Sequence, residues 1–545
     1  MSLMGLLLLL RELALVNVRN LPFDDGLFIG RAESLIGNTE KTLGSTRGFN
    51  PLVKGQVYPF ILEISNFLNT NPIVFVLALY WIALIVLIAF FYYNLRDERI
   101  ILFFTLFVVL DSGPFSAQAS RIGRELFYGI TVLFLFALLV KLKFLFLQNT
   151  QKIKITFRII YGILLGLILF LANNTREERP WIYLILITGF IWVVGIKFKS
   201  INQFIVILFV FVASYFILNQ SLKIYNQNIF GVKLTSTTIE GEFPKLMSNL
   251  SAISTKEKFN PYVSISEEKR KIAYENSASF KLLSNYLEGD GKAWIQFGCE
   301  NSQTCDDYAN GWFHVALRVA IDDQGYWISQ KSAQEFMSQV NKELEIACTS
   351  GSMKCSNALP LAKALGVTKI TKVQVIKSIS FLTFYVEKSI LGWNRGSIEF
   401  SPYEVMDEKQ WERWKFVVKS LPESQVEYQN RYNNRISIFN PIYLNWVKLN
   451  VALSTIGLLF FVFTLYRLVF SRENFRKTEL FLISIAFFSL YIWFTRGVLL
   501  ALNSATNLIS ISENYALPGR VFLLIAFAIF TYLGVEVFSK EKNEK

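Results

Sequence analysis

The sequence predicts a polytopic α-helical membrane protein with nine to ten transmembrane helices and an extracytoplasmic α/β domain inserted between helices 7 and 8. Three observations predict it. Of 545 residues 52% are hydrophobic, 50 are Phe and only 18% are charged, a balance too apolar for a soluble chain of this length. Apolar runs long enough to cross ~30 Å of hydrocarbon recur along the chain. Between two groups of them, from about 219 to 446, the hydropathy falls over a stretch long enough for a domain with its own core.

The first apolar stretch, Met4–Val16, is short and carries Arg11 and Glu12. No basic segment precedes Leu6–Leu10 and no small-x-small site follows, so it reads as a weak first span or the remnant of one rather than a secretory signal. A polar outer loop, 17–71, comes next. Spans are expected near 72–93, 100–117, 126–147, 155–172, 180–196, 201–218, 447–469, 478–498 and 519–538. They divide the chain into a membrane block (1–218), a soluble domain (219–446), and a second membrane block with a cytoplasmic tail (447–545). Inside the domain, 265–288, 329–347 and 407–420 have helical spacing. The Val-, Ile-, Thr- and aromatic-rich stretches 292–298, 369–387 and 396–401 read as strands.

Orientation follows from Lys and Arg. Alternate numbering of the spans puts sixteen basic residues on one side, from Arg96 and Arg99 to Lys540, Lys542 and Lys545. Six stand in the opposite short connections (Arg121, Arg124, Arg176, Arg179, Arg496, Arg520) and five in the first loop. The richer side is expected to be cytoplasmic, in a plasma (inner) membrane, with the large domain outside. The net charge of +13 is then largely topological and requires no nucleic-acid partner. All four cysteines, Cys299, Cys305, Cys348 and Cys355, fall in the insert. Two local disulfides suit an oxidising compartment; a zinc site is the competing assignment, although the spacings are wide and His314 is the one histidine.

The outer loops carry the chemistry. In the first, Asp24 and Asp25 precede a segment containing Glu33, and Lys54 follows. An acidic pair ahead of a surface helix can serve as general base or hold a divalent cation, and a nearby Lys can neutralise a phosphate. The alternative is that Asp24 caps the helix and Asp25 and Glu33 are solvated. In the second, the spacing puts Arg121 and Arg124 on one helical face with Glu125 beside Arg121, and guanidinium groups at the membrane edge suit a lipid phosphate. Arg176 and Glu177 belong to a run, Thr175–Arg179, that can be a self-neutralised loop. Arg496, Tyr515 and Arg520 form a fourth cluster, where charge at membrane depth is costly and therefore a functional candidate. His314, beside Trp312 and Phe313, is a packed residue or a catalyst.

The order FDDGLFIGRAESL, KGQVYPFIL, RIGRELFY, TREE, GWFHVALR and YALPGR, from about residue 20 to the last span, resembles the GT-C superfamily of membrane glycosyltransferases, and in detail a group of bacterial glycosyltransferase-like membrane proteins. The resemblance implies a sugar donor linked to a polyprenyl phosphate, used on the outer face of the membrane, and an acceptor glycan, lipid or protein. It implies that the first-loop acid is catalytic, at Asp25 or Asp24, with Asp25 preferred because it directly precedes Gly26-Leu27-Phe28. Inverting transfer would then have Asp25 act on the acceptor hydroxyl while Arg121, Arg124 and Arg496 or Arg520 hold the departing phosphate. The rival from another class is a non-enzymatic membrane protein, a receptor, transporter component or envelope assembly factor whose outer domain binds a partner.

Overall fold

A computed structural model describes residues 18, 24–36, 52–116, 121–148, 154–195, 201–257, 260, 262–302, 304–356, 371–391, 406–470, 475–507 and 513–544. The Met4–Val16 stretch and the 396–401 strand lie outside the described residues. Helices follow in the order α1 (Asp24–Ile36), α2 (Val57–Phe67), α3 (Pro72–Leu95), α4 (Glu98–Phe104), α5 (Glu125–Gln148), α6 (Ile155–Thr175), α7 (Arg179–Val194) and α8 (Ile201–Phe230). Through the insert come α9 (Glu242–Ala252), α10 (Glu267–Asn276), α11 (Ala278–Lys281), α12 (Ser284–Leu287), α13 (Ala293–Ser302), α14 (Asn310–Asp323), α15 (Gln330–Ser350), α16 (Lys372–Leu391) and α17 (Glu408–Val417). The chain closes with α18 (Gln425–Phe470), α19 (Lys477–Asn507) and α20 (Glu513–Glu544).

Among the described residues, seven helices are long and apolar enough to cross a membrane: α3, α5, α6, α8, α18, α19 and α20. Two expected spans are shorter. The 100–117 run is α4 followed by a π-helical turn, Thr105–Val109, because Asp111, Ser112, Gly113 and Pro114 supply turn chemistry where a helix would have to continue. The 180–196 run gives α7, of 16 residues, about 24 Å at 1.5 Å per residue. Local signals set several boundaries. Asn71 accepts from Ile73 N ahead of Pro72 at the start of α3, and Asp97 accepts from Arg99 N at the start of α4. Gly162 and Gly166 let α6 lie against α8, since a Cβ at either would come within 2.7 Å of Val210 or Ser214.

The insert is helical, which corrects the α/β expectation. Among the described residues there is no strand, only isolated bridge positions such as that between Ile253 and Cys355. The 292–298 stretch turns into α13, where the i,i+3 pair Trp294 and Phe297 meets Trp312 at ring separations of 5.7 and 5.1 Å. From Lys372 the 369–387 stretch becomes α16, whose buried positions Gln374, Ser378, Tyr385 and Ser389 follow a helical period, Tyr385 packing on Trp493 and Gly497 of α19. β-propensity reports fit to a pleated surface, and no such surface is present among the described residues to receive these side chains.

Two large cores result among the described residues. One runs through the membrane block and takes in Tyr385, Met406, Trp411 and Trp414 from the insert. The second is confined to 243–353, built from α9, α14 and α15 around Phe243, Phe313, Leu317 and Met337. The independent core is therefore smaller than 219–446, and the helices α8 and α18 run unbroken across residues 218 and 447. Disulfides Cys299–Cys305 and Cys348–Cys355 both lie at this second core, which meets the disulfide expectation. Charges gather at opposite ends of the bundle. The basic end carries the Arg99–Asp97 and Arg476–Glu479 pairs. The end where α5 and α7 begin and α6 finishes carries the candidate site.

Candidate active site

α1 and α2 lie over that end of the bundle. Their apolar faces meet where Phe28 packs edge-on against Tyr58 at 5.2 Å. This contact buries Asp25, in the first turn of α1, to 1% exposure. Its carboxylate is held by Arg121: Nε donates to Oδ2 at 3.1 Å and Nη2 bonds Oδ1. The Asp24 side chain lies outside the described residues. Further along α1, Arg31 donates to Gln56 Oε1 at 3.2 Å and Gln56 to Asn226 Oδ1 at 2.9 Å, tying the loop before α2 to α8. Burial lowers the Arg31 pKa to about 10.

Arg121 and Arg124 precede α5 rather than sharing a helical face, and they reach different carboxylates. Arg124, 4% exposed, donates through Nη1 to Glu177 Oε1 at 2.8 Å and to Thr175 O at 3.0 Å, while its Nη2 stands 2.8 Å from Glu177 Oε2. Glu125 pairs with Arg176 at 3.0 Å instead of with Arg121. Arg176 also holds Glu178 at 2.9 Å and stacks 4.6 Å from the Tyr515 ring. Arg496 is fully buried over Trp181, pairs with Glu178 and donates twice to Tyr515 O, at 3.0 and 2.9 Å. The 175–179 run is thus neutralised only in part from within, through Arg176 and Glu178. Of its four charged residues, Arg176, Glu177 and Glu178 join α5, α19 and the start of α20, and Arg179 pairs with Glu240 at 3.4 Å.

Electrostatics follow from this closeness. Burial would raise the Glu177 carboxyl, but the charges of Arg124 and Lys54 outweigh it and hold the pKa at about 2. Burial, with Glu125 and Asp25 adding to it, pushes the Tyr58 phenol up and keeps it protonated. The loop bearing Lys54 is anchored from the insert: Ser236 Oγ donates to Val53 O at 3.0 Å and Thr237 N to Leu52 O at 2.8 Å. Next to it, Gly55 lies so close to the end of α6 that a Cβ there would stand 2.0 Å from Asn174 O.

Three candidates stand apart. Arg520 pairs with Asp111 at 2.9 Å, both buried, where Asn450 and Trp446 also bind the 110–112 turn. Glu33 faces outward to Arg413 at 2.7 Å, joining α1 to α17. His314 packs edge-on against Phe243 at 5.9 Å; burial, then the charges of Arg318 and Lys54, lower its pKa to about 4. Its surroundings are those of a structural residue, yet it borders the loop of Lys54. Residues missed from sequence are Tyr58, Glu178, Asp111 and Arg318, and Glu125 was seen only as a neighbour of Arg121. Asp111, a carboxylate ending an apolar run, was the one with a local signal.

His314 yields a stability prediction. Its folded pKa is depressed, so the unfolded chain binds the proton more readily. The stabilisation is complete above about pH 6.5 and is lost as pH falls toward 4, on the order of 2 kcal/mol. Thermal melts of the detergent-solubilised chain from pH 7.5 to 4.5 should show falling Tm, and His314→Asn should flatten that fall. No other histidine confuses the assignment.

Fold and site together define a helical membrane protein with a buried ionic cluster at one end of its bundle. Comparison with family models, with curated proteins and with solved structures finds no match. Among the described residues, no group of three or more His, Cys, Asp or Glu could hold a metal ion, and Arg121 takes the Asp25 carboxylate that a divalent cation would need.

Proposed function

We propose that the chain is a GT-C-type membrane glycosyltransferase, which moves a sugar from a polyprenyl-phosphate donor to an acceptor glycan, lipid or protein at the outer face of the plasma membrane. The observation that carries this is the Asp25–Arg121 pair: a carboxylate buried at the start of an amphipathic helix, held by a guanidinium 96 residues away. Asp25 is the general base and Arg121 its mask. A phosphate arriving at the cluster offers Arg121 a second anion, which unmasks Asp25 for the acceptor hydroxyl. Arg124 and Arg496 add positive potential where negative charge develops on the leaving phosphate. The outward placement is supported by the basic residues at the opposite end and by two disulfides in the insert.

The full pairing of Glu125, Glu177 and Glu178 with arginines also favours a second assignment, a non-enzymatic protein in which the cluster is a latch beneath a partner-binding domain. Transfer of radiolabelled polyprenyl-linked sugars in membranes separates the two. Asp25→Asn at matched expression should lower transfer by about 10²-fold or more. Unchanged transfer in that variant, or none from any donor by a well-folded wild type, would sink the transferase.

A further inference from the structure

Arg318, on α14, is a buried cation that no carboxylate among the described residues answers. It is 4% exposed. Its guanidinium lies 3.7 Å from the Phe243 ring centre and donates to hydroxyls alone, Nη1 to Thr237 Oγ1 at 3.2 Å and Nη2 to Thr238 Oγ1 at 3.4 Å. It forms no ion pair with any described residue, whereas Arg124, Arg176 and Arg496 each hold a carboxylate. A guanidinium presents five donors in a planar fork, and burying it without a counter-charge is costly. Burial lowers its pKa to about 9, with Glu177 opposing.

Its surroundings are positive as well. Thr238, which accepts from Arg318, donates to Val53 O, the peptide immediately before Lys54. Thr237 does the same through Leu52 O, so two hydroxyls link Arg318 to the Lys54 loop. His314 stands one turn earlier on α14 and feels both charges. The nearby carboxylate, Glu177, is already held at two points by Arg124. We propose that Arg318, with Lys54 and His314, forms a binding site for a phosphate group at the seam between the small helical domain and the membrane block. A tetrahedral anion suits donors that arrive from a guanidinium fork and an ammonium together, while the Thr237 and Thr238 hydroxyls, which donate to Leu52 O and Val53 O, fix the loop beside Arg318. Its binding ties α14 to the 52–56 loop. The choice of a polyprenyl phosphate as its source rests on the transferase assignment; inorganic phosphate offers the same chemistry.

The test is thermal unfolding of the full chain in detergent, titrated with inorganic phosphate or with polyprenyl phosphate. Wild-type Tm should rise saturably by a few degrees. Arg318→Met should show no rise and, without added phosphate, should melt no lower than wild type because the unanswered charge is gone. Arg318→Lys, which keeps the charge and loses the fork, should give a reduced rise, and it carries the test if Arg318→Met folds poorly. A rise with the lipid alone identifies a headgroup ligand, and a rise with both probes a phosphate site indifferent to the chain; either supports the site. Equal rises in wild type and both variants, or none in wild type with either probe, overturn it. Because no sugar transfer is measured, failure of the transferase assignment leaves the result readable.

Discussion

Arg496→Ala is expected to lower stability by about 3–5 kcal/mol, the range for removing one partner of a buried ion pair. Arg496 is 0% exposed, supplies two hydrogen bonds to the Tyr515 carbonyl, pairs with Glu178 and lies 4.8 Å from the Trp181 ring. Truncation leaves that carbonyl unmet and opens a cavity between α7, α19 and α20. Glu178 keeps Arg176, which places the cost toward the lower end. The double variant Arg496→Met with Glu178→Gln should recover most of the loss, since it removes both charges and refills the volume. Chemical denaturation of wild type, Arg496→Met, Glu178→Gln and the double variant in detergent would decide. Additive losses in the double variant would mean that the pair is not the unit of stability.

Gly55→Ala should be nearly as damaging although it adds one methyl group. The Cβ would stand 2.0 Å from Asn174 O and 2.5 Å from its carbonyl carbon, backbone atoms that no rotamer change can move. Either the 52–56 loop or the end of α6 must shift. Overpacking of this kind costs about 1–3 kcal/mol. The displacement acts on function too, because the loop carries Lys54 and Gln56, and Gln56 bridges Arg31 to Asn226. We expect a lowered Tm together with loss of sugar transfer, while an exposed control, Gly311→Ala, where nothing stands within 4 Å, should change neither. A Gly55→Ala protein with wild-type Tm would show that the loop is not clamped against α6.

Much of the site was legible because charge is conspicuous in an apolar sequence. Asp25, Arg121, Arg124, Arg176, Glu177, Arg496 and Lys54 could be picked out as costly residues at span ends, and they do gather at one end of the bundle. The partners were not legible. Glu125 looked like the i,i+4 neighbour of Arg121, but α5 begins at Glu125, so helical spacing had no meaning before it. Glu33 and Arg520 carried the same signal as Asp25 and Arg496, and they pair elsewhere, with Arg413 and Asp111.

The sequence alone determined the membrane class, since an 18-residue apolar window has few other solvents than hydrocarbon or a protein core. It also determined the helix starts at Asn71 and Asp97, set by local caps, and the two cysteine couples, set by short separations. Tertiary structure decided the rest. From Lys372 on it made a helix of the β-branched 369–387 stretch, because α19 offered a groove for every third or fourth side chain and no sheet edge is present among the described residues. It paired Asp25 with Arg121 and left Arg318 with hydroxyls alone. Contacts of this kind join residues 380 positions apart, as between Glu33 and Arg413, and periodicity, which acts over one or two turns, carries no information at that range.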